Sequence, residues 1–292
     1  MQKNRIAILC TLLALSLTPV WSIEISEKEY EQLKEKEELL ETQALPMLSV
    51  LLKDKNYGSQ AGRIMSEIDE ARTAQYVYDL LPKGDHNVHK LLLRRACHSY
   101  ERGTGVEWSD LAYRGAIVYL QSKEIAEGFQ TVSASNTIDA IKLVSYYGNA
   151  ENMELLRNYL TPTIKSYEEQ IISTTEAALA RLGDEYYLNK IESELKIFED
   201  IQELTIQDKF RLEKTLRKAG ASGSPRFIDY VGPYLYHESE SVGDIHIAPV
   251  MDAVQALEMM VGRSDVKGWE PKLSHWQSWW KQRISRQSTQ RR

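Results

Sequence analysis

Residues Ala140–Leu160 read AIKLVSYYGNAENMELLRNYL. Apolar side chains step at helical spacing on either side of Gly148-Asn149, which predicts two short amphipathic helices joined by a tight turn. The pattern recurs downstream. Gly148, Gly183, Gly220 and Gly262 each follow an apolar helical run, with steps from 148 to 183, 183 to 220 and 220 to 262 of 35, 37 and 42 residues. A glycine between two helices at such a period marks a helical solenoid. Glycine suits the place because the chain leaves a helix there in a left-handed conformation.

The registers agree beyond the glycines. Four residues before them stand Val144, Leu179 and Leu216, with Glu258 as the exception; eight after stand Leu156, Ile191 and Ile228; twelve after stand Leu160 and Leu195, then Gly232. These positions would pack each helix on its mate and on the next hairpin. No long period-2 alternation appears, so no sheet is expected. The fold class expected is all-α: an α-solenoid of stacked helical hairpins, stacked right-handedly, with an N-terminal helix and a Trp-rich C-terminal capping helix.

Upstream the elements are less regular. Residues 1–22 read as a signal peptide, with Lys3 and Arg5 before the apolar run Ile6–Leu17 and a Val-x-Ser cleavage site ending at Ser22. That run is too short to span a bilayer, which needs roughly 20 apolar residues. Cleavage would send the protein to the periplasm or outside the cell. Residues 23–58 form a helical lead-in, dense in charge over Glu24–Gln43, that is either solvated or a docking helix. Residues 59–135 read as divergent hairpins, including helices over Asn87–Arg102 and Leu111–Gln121, with Ser133–Asn136 as a loop. Residues 136–286 carry the repeats and the cap. The polar, basic tail is 287–292.

Composition narrows the function classes. Of 292 residues 42% are hydrophobic and 27% charged, enough for a real core. Lys+Arg number 36 against 42 Asp+Glu, a net charge of −6; losing Lys3 and Arg5 with the signal would make it −8. An acidic balance disfavours nucleic acid as a partner. Cys97 alone would remain after cleavage, which allows no internal disulfide.

YYGNAENMELLRNYL and RLGDEYYLNKIESEL resemble HEAT-like repeats of the phycobilisome-lyase type. Gly148-Asn149 and Gly183-Asp184 match the family's turn; Leu155, Leu156 and Leu160, then Leu188, Ile191 and Leu195, match its second-helix core. Gly220-Ala221 and Gly262-Arg263 keep only the glycine. The resemblance implies a scaffold whose second helices line a concave face. It names no activity.

Candidate sites follow. Arg157, Glu192 and Asp229, each nine residues after a glycine, and the paired Tyr186-Tyr187 would offer polar and aromatic contacts on that face to a protein or peptide. His237, Glu238, Asp244 and His246, with Glu240, crowd one loop and have metal-ligand chemistry, so a metal-dependent enzyme or factor is the alternative. His86 and His89 share one helical face but lack an evident third ligand. Lys281, Arg283, Arg286, Arg291 and Arg292 give the one stretch that could touch a membrane or cell-envelope polymer. No nucleophile elbow or phosphate loop is found, and no cofactor is expected. The reading that fits best is an exported, non-enzymatic protein-binding scaffold.

Overall fold

The computed structural model describes residues 44–52, 61, 64, 78, 86–102, 109–121, 131–161, 167–199, 201, 203–237, 240–242 and 245–290. The signal peptide, the charged stretch Glu24–Gln43, Glu238, Asp244, Arg291 and Arg292 lie outside them. The chain divides into two compact units, Met1–Leu91 and Leu92–Arg292. In the first, α1 (Leu45–Leu52) buries Leu45 and Leu48.

The second unit is built almost wholly of helices. After α2 (His86–Glu101) come α3 (Ser109–Gln121), α4 (Thr131–Tyr147), the one-turn α5 (Met153–Arg157), α6 (Glu168–Arg181), α7 (Glu185–Lys196), α8 (Ile206–Ser222), α9 (Ile228–Val231), α10 (Pro249–Val261) and α11 (Trp269–Gln290). Helix α3 packs on α4, α4 on α6, α6 on α8 and α8 on α10. The intervening segments follow the same order. Helix α5 packs on α6, α7 on α6 and α8, and the 3-10 segment Gly232–Tyr236 on both α10 and α11.

Local chemistry sets the ends of these elements. Asn149 and Asn152 form a reciprocal capping box, and Thr205 and Asp208 form another at the start of α8. Asp184 caps α7 by accepting from the Tyr186 amide. The core joins Leu188, Ile191 and Leu195 of α7 to Leu212 and Leu216 of α8, Phe227, Val231 and Leu235, Leu257 of α10, and Trp276 and Trp280 of α11.

Five expectations change. Gly148 does not take a left-handed conformation; what it supplies is room, since a Cβ there would collide with the Val144 carbonyl oxygen. Gly220 does not end its helix. Helix α8 runs on through Ser222, and Gly223, at φ +63°, makes the left-handed exit. Counted from 148, 183, 223 and 262, the steps become 35, 40 and 39 residues. In that register Val231 and Leu235 take the eight- and twelve-residue places, and both are fully buried. Gly220 serves a different purpose: a Cβ there would lie 2.6 Å from the Ala256 Cα, so its missing side chain lets α8 cross α10 closely.

The stretch Ser133–Asn136 is helical and belongs to α4. Asn136 is buried there, and helix packing outweighs its turn preference. The return segments after Gly148 and Gly223 are broken into single turns and 3-10 pieces rather than continuous helices; Pro225 and Pro233 explain this in the second case. Last, the His237–Ile247 loop contains a small antiparallel hairpin, β1 (Glu240–Val242) and β2 (Ile245–Ile247), with Glu240 opposite Ile247. Three-residue strands are too short to show an alternation. Among the described residues no helix is long and apolar enough to cross a membrane.

Candidate functional groove

Of the five residues expected on the second-helix row, the charged three, Arg157, Glu192 and Asp229, take part in a series of ion pairs between successive segments. Arg157 on α5 reaches Asp184 at 2.9 Å, tying one turn to the next. Arg226 pairs with Glu192 and, at 3.3 Å, with Glu185, and it donates to Asn189 at 2.7 Å. Asp229 receives Arg283 of α11 at 2.9 Å. Lys196 and the Tyr230 hydroxyl also donate to Glu192, and these contacts with Arg226 hold its carboxyl down at about 2. Tyr186 is 69% exposed and meets the half-buried Tyr187 edge to face at 5.0 Å. Of the five, then, the charged three are committed to internal pairs, and Tyr186 is the most open.

The concavity lies along the first-helix row. A groove of about 1240 Å³ runs over α4, α6, α8 and α10, closed at its sides by the end of α7 and the start of α11. Its apolar lining includes Ile197, Met251 and Trp269, which are 49%, 39% and 40% exposed. These three stand on α7's C-terminal end, α10 and α11. Nothing in their single-sequence pattern marks them as neighbours, because the packing of α6, α7, α8, α10 and α11 brings them to one groove.

Ion pairs cross the groove. Glu176 on α6 is buried, which pushes its carboxyl up, yet it ends below the usual range because Lys190 and Lys218 both bond it. Lys218 stands 2.8 Å from Glu176 and 2.8 Å from Glu194, joining α6, α7 and α8. Arg217 on α8 bonds both oxygens of Asp252 on α10, at 2.7 and 3.2 Å. Glu213 accepts from the Ala248 amide at 2.6 Å, just before α10. Lys272 pairs with Glu258 at 2.9 Å and Lys214 with Glu169 at 3.2 Å.

At the other end, Arg181 acts as a staple. Its guanidinium donates to the Tyr100 hydroxyl at 2.5 Å and the Ala221 carbonyl at 3.1 Å. It also lies over the rings of Tyr100 and Tyr146, which stack at 4.0 Å. Tyr146 and Lys142 both donate to Glu101, at 3.1 and 2.7 Å. Cys97 is buried nearby, donates to the Asp139 carbonyl at 3.1 Å, and burial pushes its thiol well up, so it behaves as an inert core group.

The histidine loop divides. His237 follows Gly232–Tyr236 with its ring 5.1 Å from that of Tyr234, and burial with Lys209 nearby lowers its pKa. His246 stands on β2 opposite Ser241. Among the described residues no three His, Cys, Asp or Glu are grouped to hold a metal; Glu238 and Asp244 are outside that set. Two of the tail's cations are already engaged, Lys281 over Tyr236 at 5.8 Å and Arg283 over Trp279 at 5.9 Å.

Comparison with protein families, curated proteins and solved structures gives no match. The groove's own geometry is therefore what speaks for its role. Sequence reasoning placed contacts on the second row and missed the first, where Met251, Arg211 and Arg263 line the concavity. The local signal was weak: one exposed methionine on α10, one arginine on α8 and one just after α10.

Proposed function

We propose that the second unit is an α-solenoid of HEAT-like hairpins, closed at its C-terminal end by the Trp-rich α11, in an exported protein. Its work is non-enzymatic: it holds a partner polypeptide in the groove along the first-helix row. The orderly contacts of α3, α4, α6, α8 and α10 support the solenoid reading. The observation that carries the functional reading is the groove itself. It is long, and it combines exposed apolar side chains with a floor of paired charges. Such a surface suits an extended segment that spans several repeats. A small substrate would call for a concave pocket with a few convergent reactive groups. The lining carboxylates here are all paired with lysines.

Photo-crosslinking from the groove tests this. A benzoylphenylalanine replacing Met251 should give adducts with a polypeptide of the exported fraction. The same probe replacing Ser193, an exposed α7 residue outside the groove lining, should give none. Equal labelling from both positions, or none from position 251, would overturn the proposal.

A further inference from the structure

The groove's charges are unevenly satisfied. The five lining carboxylates belong to Glu101, Glu169, Glu176, Glu194 and Glu258, and each has a lysine within ion-pair distance. Arg217 is taken by Asp252 and by Glu213, the latter at 3.5 Å. Arg211 on α8 and Arg263 after α10 also line the groove and are exposed, and among the described residues neither has an ion-pair partner. Arg211 has one acid nearby, Asp208, whose Oδ2 takes the hydroxyl and amide of Thr205; its charge acts on Arg211 without an ion pair forming. Two guanidiniums without an ion pair thus line the same groove as the exposed apolar Ile197, Met251 and Trp269. They do so on a chain whose net charge is −6. A cation left unpaired on an acidic protein marks a place where acid is expected from outside.

We propose that the groove's occupant is an acidic polypeptide segment with interspersed apolar side chains. Its carboxylates pair with Arg211 and Arg263, and its apolar residues cover Met251 and Trp269. Guanidinium groups suit the task, since each presents a planar fork to a carboxylate. The paired lysines of the floor stay where they are. This rests on the groove being a polypeptide site, and it adds the chemistry of the partner.

Three synthetic peptides of equal length serve as probes in fluorescence anisotropy with the full chain: repeats of Glu-Glu-Leu-Tyr, Gln-Gln-Leu-Tyr and Lys-Lys-Leu-Tyr. The acidic peptide should bind, more weakly as salt rises, and the basic one should not. The double variant Arg211→Gln, Arg263→Gln should bind the acidic peptide about fivefold to tenfold more weakly, because two exposed charge pairs are lost. Both substitutions are at exposed positions outside the core, and an unchanged circular dichroism melt confirms an intact fold. Equal affinity for the acidic and neutral peptides, or an unchanged affinity in the double variant, would overturn acid recognition. It would leave the groove reading standing if Met251→Asp still abolished the binding. Absence of binding by all three peptides would overturn the acidic-segment proposal, while the crosslinking from position 251 judges the groove separately.

Discussion

Two glycines three residues apart have opposite jobs. Gly223 provides a left-handed backbone, whereas Gly220 provides empty space against Ala256. Their alanine variants should therefore fail differently. Gly220→Ala puts a methyl 2.6 Å from the Ala256 Cα, where only a backbone shift of α8 or α10 can relieve it. Such overpacking costs about 1–3 kcal/mol, which denaturant titration should read as a lower midpoint. Gly223→Ala takes on left-handed strain of about 1 kcal/mol, and its methyl would lie 2.5 Å from the Arg181 Nη1, so it also displaces the guanidinium that bonds the Ala221 carbonyl. If Gly220→Ala proved neutral, the close crossing of α8 on α10 would be wrong.

Glu192 offers a pH test at the same scale. Its carboxyl is depressed to about 2 by Lys196, Tyr230 and Arg226. A depressed acid stabilises the fold above its unfolded pKa, near the ordinary 4.5, and that contribution is lost as pH falls towards about 2. The wild-type melting temperature should fall through this window more steeply than that of Glu192→Gln. Parallel curves for the two proteins would contradict the energetic role of these ion pairs.

At the scale of elements, Arg181 connects α6 to α2, α4 and α8 through one guanidinium. Removing it with Arg181→Ala leaves the Ala221 carbonyl and Tyr100 hydroxyl without that donor and uncovers a stacked tyrosine pair. A loss of about 2–3 kcal/mol in unfolding free energy is expected from two charge-assisted bonds and a cation–π contact. The buried pair at Lys218 makes a sharper case. Lys218→Met takes the direct ion-pair partner from Glu194 and leaves the buried Glu176 with Lys190 alone. Taking one partner from a buried ion pair typically costs about 3–5 kcal/mol. Lys190, more exposed than Lys218, keeps the figure at the low end. Differential calorimetry of the two variants would rank them.

At the scale of the molecule, α11 packs tryptophans into the core of the second unit. Trp276 and Trp280 are buried in the same core as Leu235 and Leu257, and the Trp280 indole fills the space a side chain at position 232 would need. Trp280→Ala should cost about 3–5 kcal/mol, as large aromatic truncations in cores do. Deleting residues from Trp269 onward would bare that core, and a hydrophobic dye should then bind the protein strongly. A truncated protein that stayed monomeric and dye-negative would deny α11 its closing role.

How much of this was legible in the chain depends on range. The helices over 87–102, 111–121 and 140–147, the turns after Gly148 and Gly183, and the buried Leu156, Leu188, Ile191, Leu195 and Ile228 follow from neighbours a few residues apart, whereas Leu155 and Leu160, expected in the same rows, are only half-buried. Capping, backbone conformation and amphipathic spacing act at that distance, so the amino-acid sequence by itself determined them. It could not separate Gly220 from Gly223, since turn and crossing use the same residue and differ only in whether Ala256 arrives. Nor could it say that Arg157, Glu192 and Asp229 would be taken by Asp184, Arg226 and Arg283, or that Met251 would share a groove with Trp269 and Ile197. Those pairings join residues tens of positions apart, and only the packing of one helix on another decides which charges meet and which remain free.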